Sequence, residues 1–225
     1  MSEIKRLTGK DGKVYLATKG SEVTGNGTTK LTKGEFYIPT VIASTSSGFP
    51  AGAKVGVVLV GDGTSAPAST EKYIPLTATP QCDITSASVD FSKSEIDITT
   101  LCDDIMKYAS GMSELQGSLE GITTLGKSEA FIAKFVDVQK QSSTGAITAT
   151  AQNDDEVIVA LELNKADSSG ADLAYFFAPA VLTSFNLGAT INEAQTFTAD
   201  FRISQDNVLK AAFIEADKAL FTTST

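Results

Sequence analysis

Two cysteines and a few clusters of acids are the residues of this sequence whose types could do chemistry. The chain has 225 residues and no histidine. That absence removes the usual general base near neutral pH and the commonest metal ligand. It excludes Ser-His-Asp and Cys-His nucleophilic catalysis. Cys82 and Cys102 are too few to close a zinc site when histidine cannot complete it. They are read as reduced, partly buried residues of an intracellular chain. Asp154-Asp155-Glu156 has the charge for calcium, but its spacing fits no known loop, so it is read as the solvated start of a strand. Asp103-Asp104 is read the same way. Val60-Gly61-Asp62-Gly63-Thr64 follows an apolar run as a phosphate cradle would. It lacks a third glycine and a following helix, and Pro67 comes next, so a tight turn is expected. Asn26-Gly27-Thr28 matches a glycosylation acceptor without a secretory context. A glycosidase would need two carboxylates around an aromatic-lined cleft; nothing places them, and tryptophan is absent. The expectation is a protein that is not an enzyme, with no catalytic residue, no metal site and no cofactor.

The elements that would position side chains are strands. Apolar residues make up 42% and charged residues 20%, ordinary for a folded chain, and Ser, Thr and Gly are abundant. That mixture favours short strands joined by polar turns. Ala87, Val89 and Phe91 alternate with Ser86, Ser88 and Asp90. Leu115 and Leu119 oppose Gln116, Ser118 and Glu120. Val157, Val159, Leu161 and Leu163 form a stripe. Thr183, Phe185, Leu187, Ala189 and Ile191 oppose Ser184, Asn186 and Thr190; Phe197, Ala199, Phe201 and Ile203 oppose Thr196, Thr198, Asp200 and Arg202. A period of two predicts sheets with one buried and one wet face. Asn192-Glu193-Ala194 reads as the turn of a hairpin between the last two strands.

One helix is expected near 128–140. Ser128 caps it, and Phe131, Phe135 and Val138 pack it onto a sheet together with Ile132 and Val136. A second is expected at about 206–220 from Leu209, Phe213, Ala216 and Leu220. Residues 1–80 look like an arm. Short strand candidates at Val14–Ala17, Phe36–Ala43 and Lys54–Val60 are separated by loop-like runs, and Ser44–Gly52 suits a projecting hairpin that a neighbour would order. The division expected is therefore an N-terminal arm and hairpin over 1–80 and a β body over 81–225, together one domain. The fold class is mainly β, a sandwich or open barrel with one flanking helix.

Charge follows the same division. Residues 1–80 hold nine Lys/Arg and six Asp/Glu, a balance of +3; residues 81–225 hold nine and twenty-one, a balance of −12. An acidic body is poor at gripping nucleic acid, because phosphate binding needs clustered cations. A basic lead and an acidic body suit head-to-tail contact between copies, or simply keep the surface solvated. The densest apolar run, Val55–Val60, is far short of the ~20 residues of a spanning helix, and no membrane insertion is expected.

The polar strand faces carry the most information. Ser86, Ser88 and Asp90; Gln116, Ser118 and Glu120; Ser184, Asn186 and Thr190; Thr196, Thr198, Asp200 and Arg202 would form one flat, hydrophilic, slightly negative face if their strands share a sheet. Such a face is either an ordinary wet surface or the wall of a channel that nucleic acid must traverse without sticking. In the second reading eleven of these residues, all but Thr190 and Arg202, are assigned to the lumen.

A resemblance enters here. Asp97, Thr99, Leu101 and Asp103, then Tyr108, Gly111, and Gly117, Ser118 and Gly121 resemble the pattern of siphophage major tail proteins: a "D-x-T-x-L-x-D" connection, a "Y-x-x-G" step and a "G-S-x-x-G" strand. The likeness covers residues 84–121 directly and extends loosely to about 204 through the order of elements. It implies a tail-tube β-sandwich flanked by a helix, hexameric rings stacked into a tube, and one sheet of each subunit joining an inner barrel through which genomic DNA travels. It also implies partners at the tube ends, such as tape measure and terminator proteins, and a place in the virion after assembly in the host cytoplasm. The alternative is a β-rich carbohydrate- or receptor-binding module of a phage fibre or surface protein, which would display aromatic side chains. Phe91, Phe185, Phe197 and Phe201, all expected on core faces, count against it.

Overall fold

The computed structural model describes residues 13–44, 47–81, 84–97, 108–122, 138–141, 143–150, 156–164, 173–188, 194–204, 208–217 and 220–221. The fold is mainly β. Its strands are β1 (Lys13–Lys19), β2 (Val23–Thr24), β3 (Phe36–Val41), β4 (Leu59–Val60), β5 (Lys72–Pro80), β6 (Ile84–Asp97) and β7 (Tyr108–Ile122). After these come β8 (Val138–Gln141), β9 (Ile147–Thr150), β10 (Glu156–Asn164), β11 (Leu173–Gly188), β12 (Thr196–Ile203) and β13 (Ala212–Ala216). No α-helix occurs among the described residues.

The chain divides into two units. The first gathers Met1–Cys82, Glu156–Ala180 and Ser204–Thr225; the second gathers Asp83–Asp155 and Val181–Ile203. The first unit is discontinuous in sequence, since two later segments join the N-terminal one.

In the first unit the strands lie in the order β4-β3-β5-β1-β10-β11, with β2 on β5 and β13 on β11. β1 runs antiparallel to both neighbours, with Tyr15 opposite Ala160 of β10 and Pro80 of β5. Residues 13–81 are therefore built into a sheet rather than standing off as an arm. The reason is burial. Ala17, Ile38, Val58 and Leu76 share one core with Ile158, Tyr175 and Phe177, and Leu31, Tyr37, Phe49 and Tyr73 form a second. Phe49 comes from Ser44–Gly52, the run that suited a projecting hairpin.

β10 was expected to bury one stripe. Val157, Val159 and Leu161 are buried, but so are Ile158, Ala160 and Glu162 between them. A strand buried on both faces loses the polar half of its alternation. Glu162 is satisfied locally: the Tyr15 hydroxyl donates to its Oε2 at 2.8 Å. Burial first, and then this carboxylate, push the phenols of Tyr15 and Tyr175 up from their ordinary value.

The helix expected over 206–220 is corrected. Ala212–Ala216 is a strand, paired antiparallel with β11 so that Phe213 lies opposite Phe176 and Ile214 opposite Tyr175. Ile214 packs on the core while Phe213 is 57% exposed. The helical spacing of Leu209, Phe213, Ala216 and Leu220 was real in the sequence, but an open edge of β11 outcompeted it. The helix expected over 128–140 is corrected at its end. Val138–Lys140 belong to β8, which pairs with β9 in a two-stranded ribbon. Phe131, Phe135 and the rest of that segment lie outside the described residues, as do Cys82, Cys102, Asp103, Asp104, Asp154 and Asp155.

The second unit orders the last part of β11 beside β12, then β7 and β6. β6 and β7 form a long antiparallel hairpin whose innermost pair is Asp97 with Tyr108, two positions of the resemblance. Thr99, Leu101 and Asp103 lie outside the described residues. On the apolar side Leu119, Phe197, Ala199 and Phe201 are buried. Phe91 was expected there too, but it is 57% exposed, and Leu187, expected on the same side of β11, is 58% exposed. Phe91 pairs with Leu115, one row beyond the last pairing of β7 with β12, Gln116 with Arg202.

Candidate functional site: a polar sheet face

Strand register decides which polar side chains meet. In β6 and β7, Ser86 lies opposite Glu120, Ser88 opposite Ser118, and Asp90 opposite Gln116. In β7 and β12, Glu120 lies opposite Thr198, Ser118 opposite Asp200, and Gln116 opposite Arg202. Three cross-strand rows result: Ser86-Glu120-Thr198, Ser88-Ser118-Asp200 and Asp90-Gln116-Arg202. Thr196 continues the face opposite Ile122. Ser184 of β11 joins the middle row, donating to Asp200 Oδ2 at 2.6 Å. Ser88 and Ser118 share a hydrogen bond of 3.0 Å. Asn186, two residues on from Ser184, is exposed.

The condition set by the sequence is thus met for the described residues: these strands share one sheet, and the polar residues of β6, β7 and β12 share one side of it; Thr190 lies outside the described residues. The centre of this face is a shallow depression of about 410 Å3 lined by Ser88, Asp90, Gln116, Ser118, Asp200 and Arg202 among others. Opposite-facing side chains fix the register, because a slip by one residue would bury Asp200 and expose Phe201, which is 1% exposed.

Gly117 has a specific reason to be glycine. A Cβ there would meet the Ser88 carbonyl oxygen at 2.3 Å and the Phe201 ring at 2.4 Å. The ring of Phe201 covers the space left by the missing side chain, and Phe197 lies opposite Gly121 in the strand register. The two glycines of the G-S-x-x-G strand are therefore partnered by two phenylalanines at the same spacing in β12. That matched spacing is present in the sequence itself.

Two residues beyond the expected set belong to the face. Glu114 reaches Arg202, with 3.7 Å between Oε1 and Nε. Ser92 follows Asp90 on β6 opposite Glu114, and its Oγ donates to the Glu114 carbonyl at 3.4 Å. The chemistry of this surface is that of hydroxyls, an amide and carboxylates on extended backbone. It offers water a dense set of hydrogen-bonding partners.

The other chemical candidates resolve into structure. Asp62 accepts hydrogen bonds from Thr64 N at 2.8 Å, Ser65 N at 2.6 Å and Ser65 Oγ at 2.6 Å. Partial burial opposes its charge, but these donors win and hold its carboxyl down to about 2. Its loop is a tight turn, with Gly63 in the left-handed region. Asn26 Oδ1 likewise accepts from Thr28 N at 2.9 Å and Thr29 N at 2.7 Å, closing a turn.

Glu71 went unnoticed in the sequence and is wholly buried. Its carboxylate accepts from Ala43 N, Ser47 Oγ, Gly48 N and Ala68 N at 2.8–3.0 Å. Desolvation works against the charge, yet this ring of donors keeps the carboxyl below its usual range. It ties the 43–48 loop to the start of β5, and no sequence pattern announces it.

No family model matches this chain, and a search of curated proteins finds no match either.

Proposed function

We propose that the chain is the tail tube subunit of a long-tailed phage, forming stacked hexameric rings whose lumen is lined by the polar face of the second unit. The observation that carries this reading is the union of β6, β7, β12 and the last part of β11 into one sheet, with acids and hydroxyls gathered on one side. Asp90, Glu120 and Asp200 stand on that side without a cluster of cations. Repeated around a ring, they make a band of negative charge that repels phosphate and gives it nowhere to settle. β6 ends the strand order of this sheet among the described residues. A long edge strand is an aggregation hazard unless another chain pairs with it, and ring closure supplies that pairing. The tail-tube sandwich, the partners at the tube ends and the place in the virion belong to the same proposal.

Electron microscopy of the purified protein tests assembly: tubes or rings are expected, and compact monomers or trimers overturn the reading. The lumen is tested with D90K/D200K in assembled particles. Folding and tube formation are expected to persist while DNA ejection slows, most at low salt. Ejection at the wild-type rate in low salt removes these acids from the lumen, and loss of tubes places them at subunit contacts instead.

One observation favours the alternative of a binding module for carbohydrate or receptor. Phe91 is 57% exposed, so the aromatics are not all withdrawn into the core. Compact particles that bind a glycan array through Phe91 would support that reading.

A further inference from the structure

We infer that Glu114 masks Arg202, so that the one cation among the described residues of the polar face does not catch a passing polyanion. The inference rests on the reading of this face as the wall of a nucleic-acid channel. Arg202 follows Asp200 on β12 and stands in the row of Asp90 and Gln116. A guanidinium presents a planar fork that captures phosphate in two parallel hydrogen bonds. Repeated in every subunit of every ring, such forks would form a ladder of phosphate stops along the tube.

The surroundings limit that capture. Asp200, the nearest acid along the same strand, has its Oδ2 committed to Ser184 at 2.6 Å. Glu114 comes from the next row of β7 and stands 3.7 Å from the guanidinium Nε. The side chains are 66% and 55% exposed for Arg202 and Glu114. An ion pair so exposed contributes little to stability. Its effect lies in the field it leaves behind. With Glu114 in place the pair is neutral, and Asp90, Glu120 and Asp200 set the sign of the face. Without that carboxylate, Arg202 would stand free for phosphate.

The test compares tubes of the wild-type chain with E114Q and E114Q/R202Q, measuring retention of linear duplex DNA as salt is varied. E114Q is expected to assemble normally and to hold DNA more strongly at low salt. Each arginine newly engaged should make retention fall about a further threefold between about 50 and about 200 mM salt. E114Q/R202Q is expected to return to wild-type retention. A simple loss of structure would not be rescued by removing a second side chain. If E114Q tubes retain DNA no better than wild type while D90K/D200K tubes do, the masking role is wrong and the channel stands. If E114Q/R202Q retains DNA as strongly as E114Q, Glu114 acts by its own charge and the inference also fails. A wild-type chain that forms no tubes removes the channel and the masking role together.

Discussion

β10 and β7 both run between two neighbouring strands, yet β10 is dry on both faces and β7 is wet on one. In β10 every residue from Val157 to Glu162 is buried. In β7 Leu119 is buried while Glu120 beside it is exposed. β11 shows both regimes in a single strand. From Leu173 to Leu182 it is largely buried, and from Thr183 to Gly188 it is half-buried or exposed. A side chain's alternation therefore says which face it takes, but not whether that face is covered. Where both faces are covered, the strand reads as a continuous apolar run, and a polar residue survives only with dedicated partners. Glu162 has the Tyr15 hydroxyl. In the second unit polar residues need no such partners, because water reaches them.

The largest expected effect sharpens this contrast. Phe177 is fully buried and lies 4.9 Å from the ring of Phe36. Phe177→Ala should cost roughly 3–5 kcal/mol through lost burial and a cavity. Chemical denaturation checks it, and a cost under about 1 kcal/mol would mean that this side of the β10–β11 region is not the core it appears.

Glu71 gives the next effect, and its sign follows from its depressed carboxyl. A group with a lower value in the folded state stabilises most above its unfolded value, near the ordinary glutamate range. That stability is lost as pH falls through the folded value. Glu71→Gln should therefore lower Tm at pH 7, by an amount equivalent to about 1–3 kcal/mol from unsatisfied buried donors. The deficit should shrink as pH is lowered below about 4. A thermal melt series from pH 7 to pH 3 measures this. A gap between wild type and variant that stays constant with pH would mean the carboxylate's charge is not what holds the 43–48 loop.

Phe91 should give the smallest effect. Phe91→Ser is expected to change stability by less than about 0.5 kcal/mol, because the ring is mostly exposed already. A loss of 2 kcal/mol or more in the isolated subunit would restore Phe91 to the core. A loss seen in assembled tubes but not in subunits would place it at a contact between copies.

Much of the polar face was legible in the sequence because a strand's period is fixed by its backbone. Once Phe197, Ala199 and Phe201 were assigned inward, Thr198 and Asp200 had to face outward. The same reasoning placed Ser88 and Ser118 correctly without knowing that they would lie 3.0 Å apart. It failed for Phe91, since its alternation is identical to that of Phe201 and only cover distinguishes them. It failed again at 212–216, where a helical spacing of apolar residues gave way to an available strand edge. Glu71 and Glu114 were invisible, because their partners come from other strands and loops: Ala43 and Ala68 for one, Arg202 for the other.

The sequence by itself determined that this chain is built of strands and excluded histidine-based chemistry. It also divided the residues of β6, β7, β11 and β12 into polar and apolar sets. Local geometry suffices for that, because successive side chains on extended backbone point to opposite sides. The tertiary structure decided which strands are neighbours, and so which polar sets merge into one face. It also decided which apolar sets are covered: both sides of β10, but not the row of Phe91. Pairing and cover are long-range properties. They depend on segments such as Lys13–Lys19 and Glu156–Asn164 meeting across well over a hundred residues of chain, and no local pattern records that meeting.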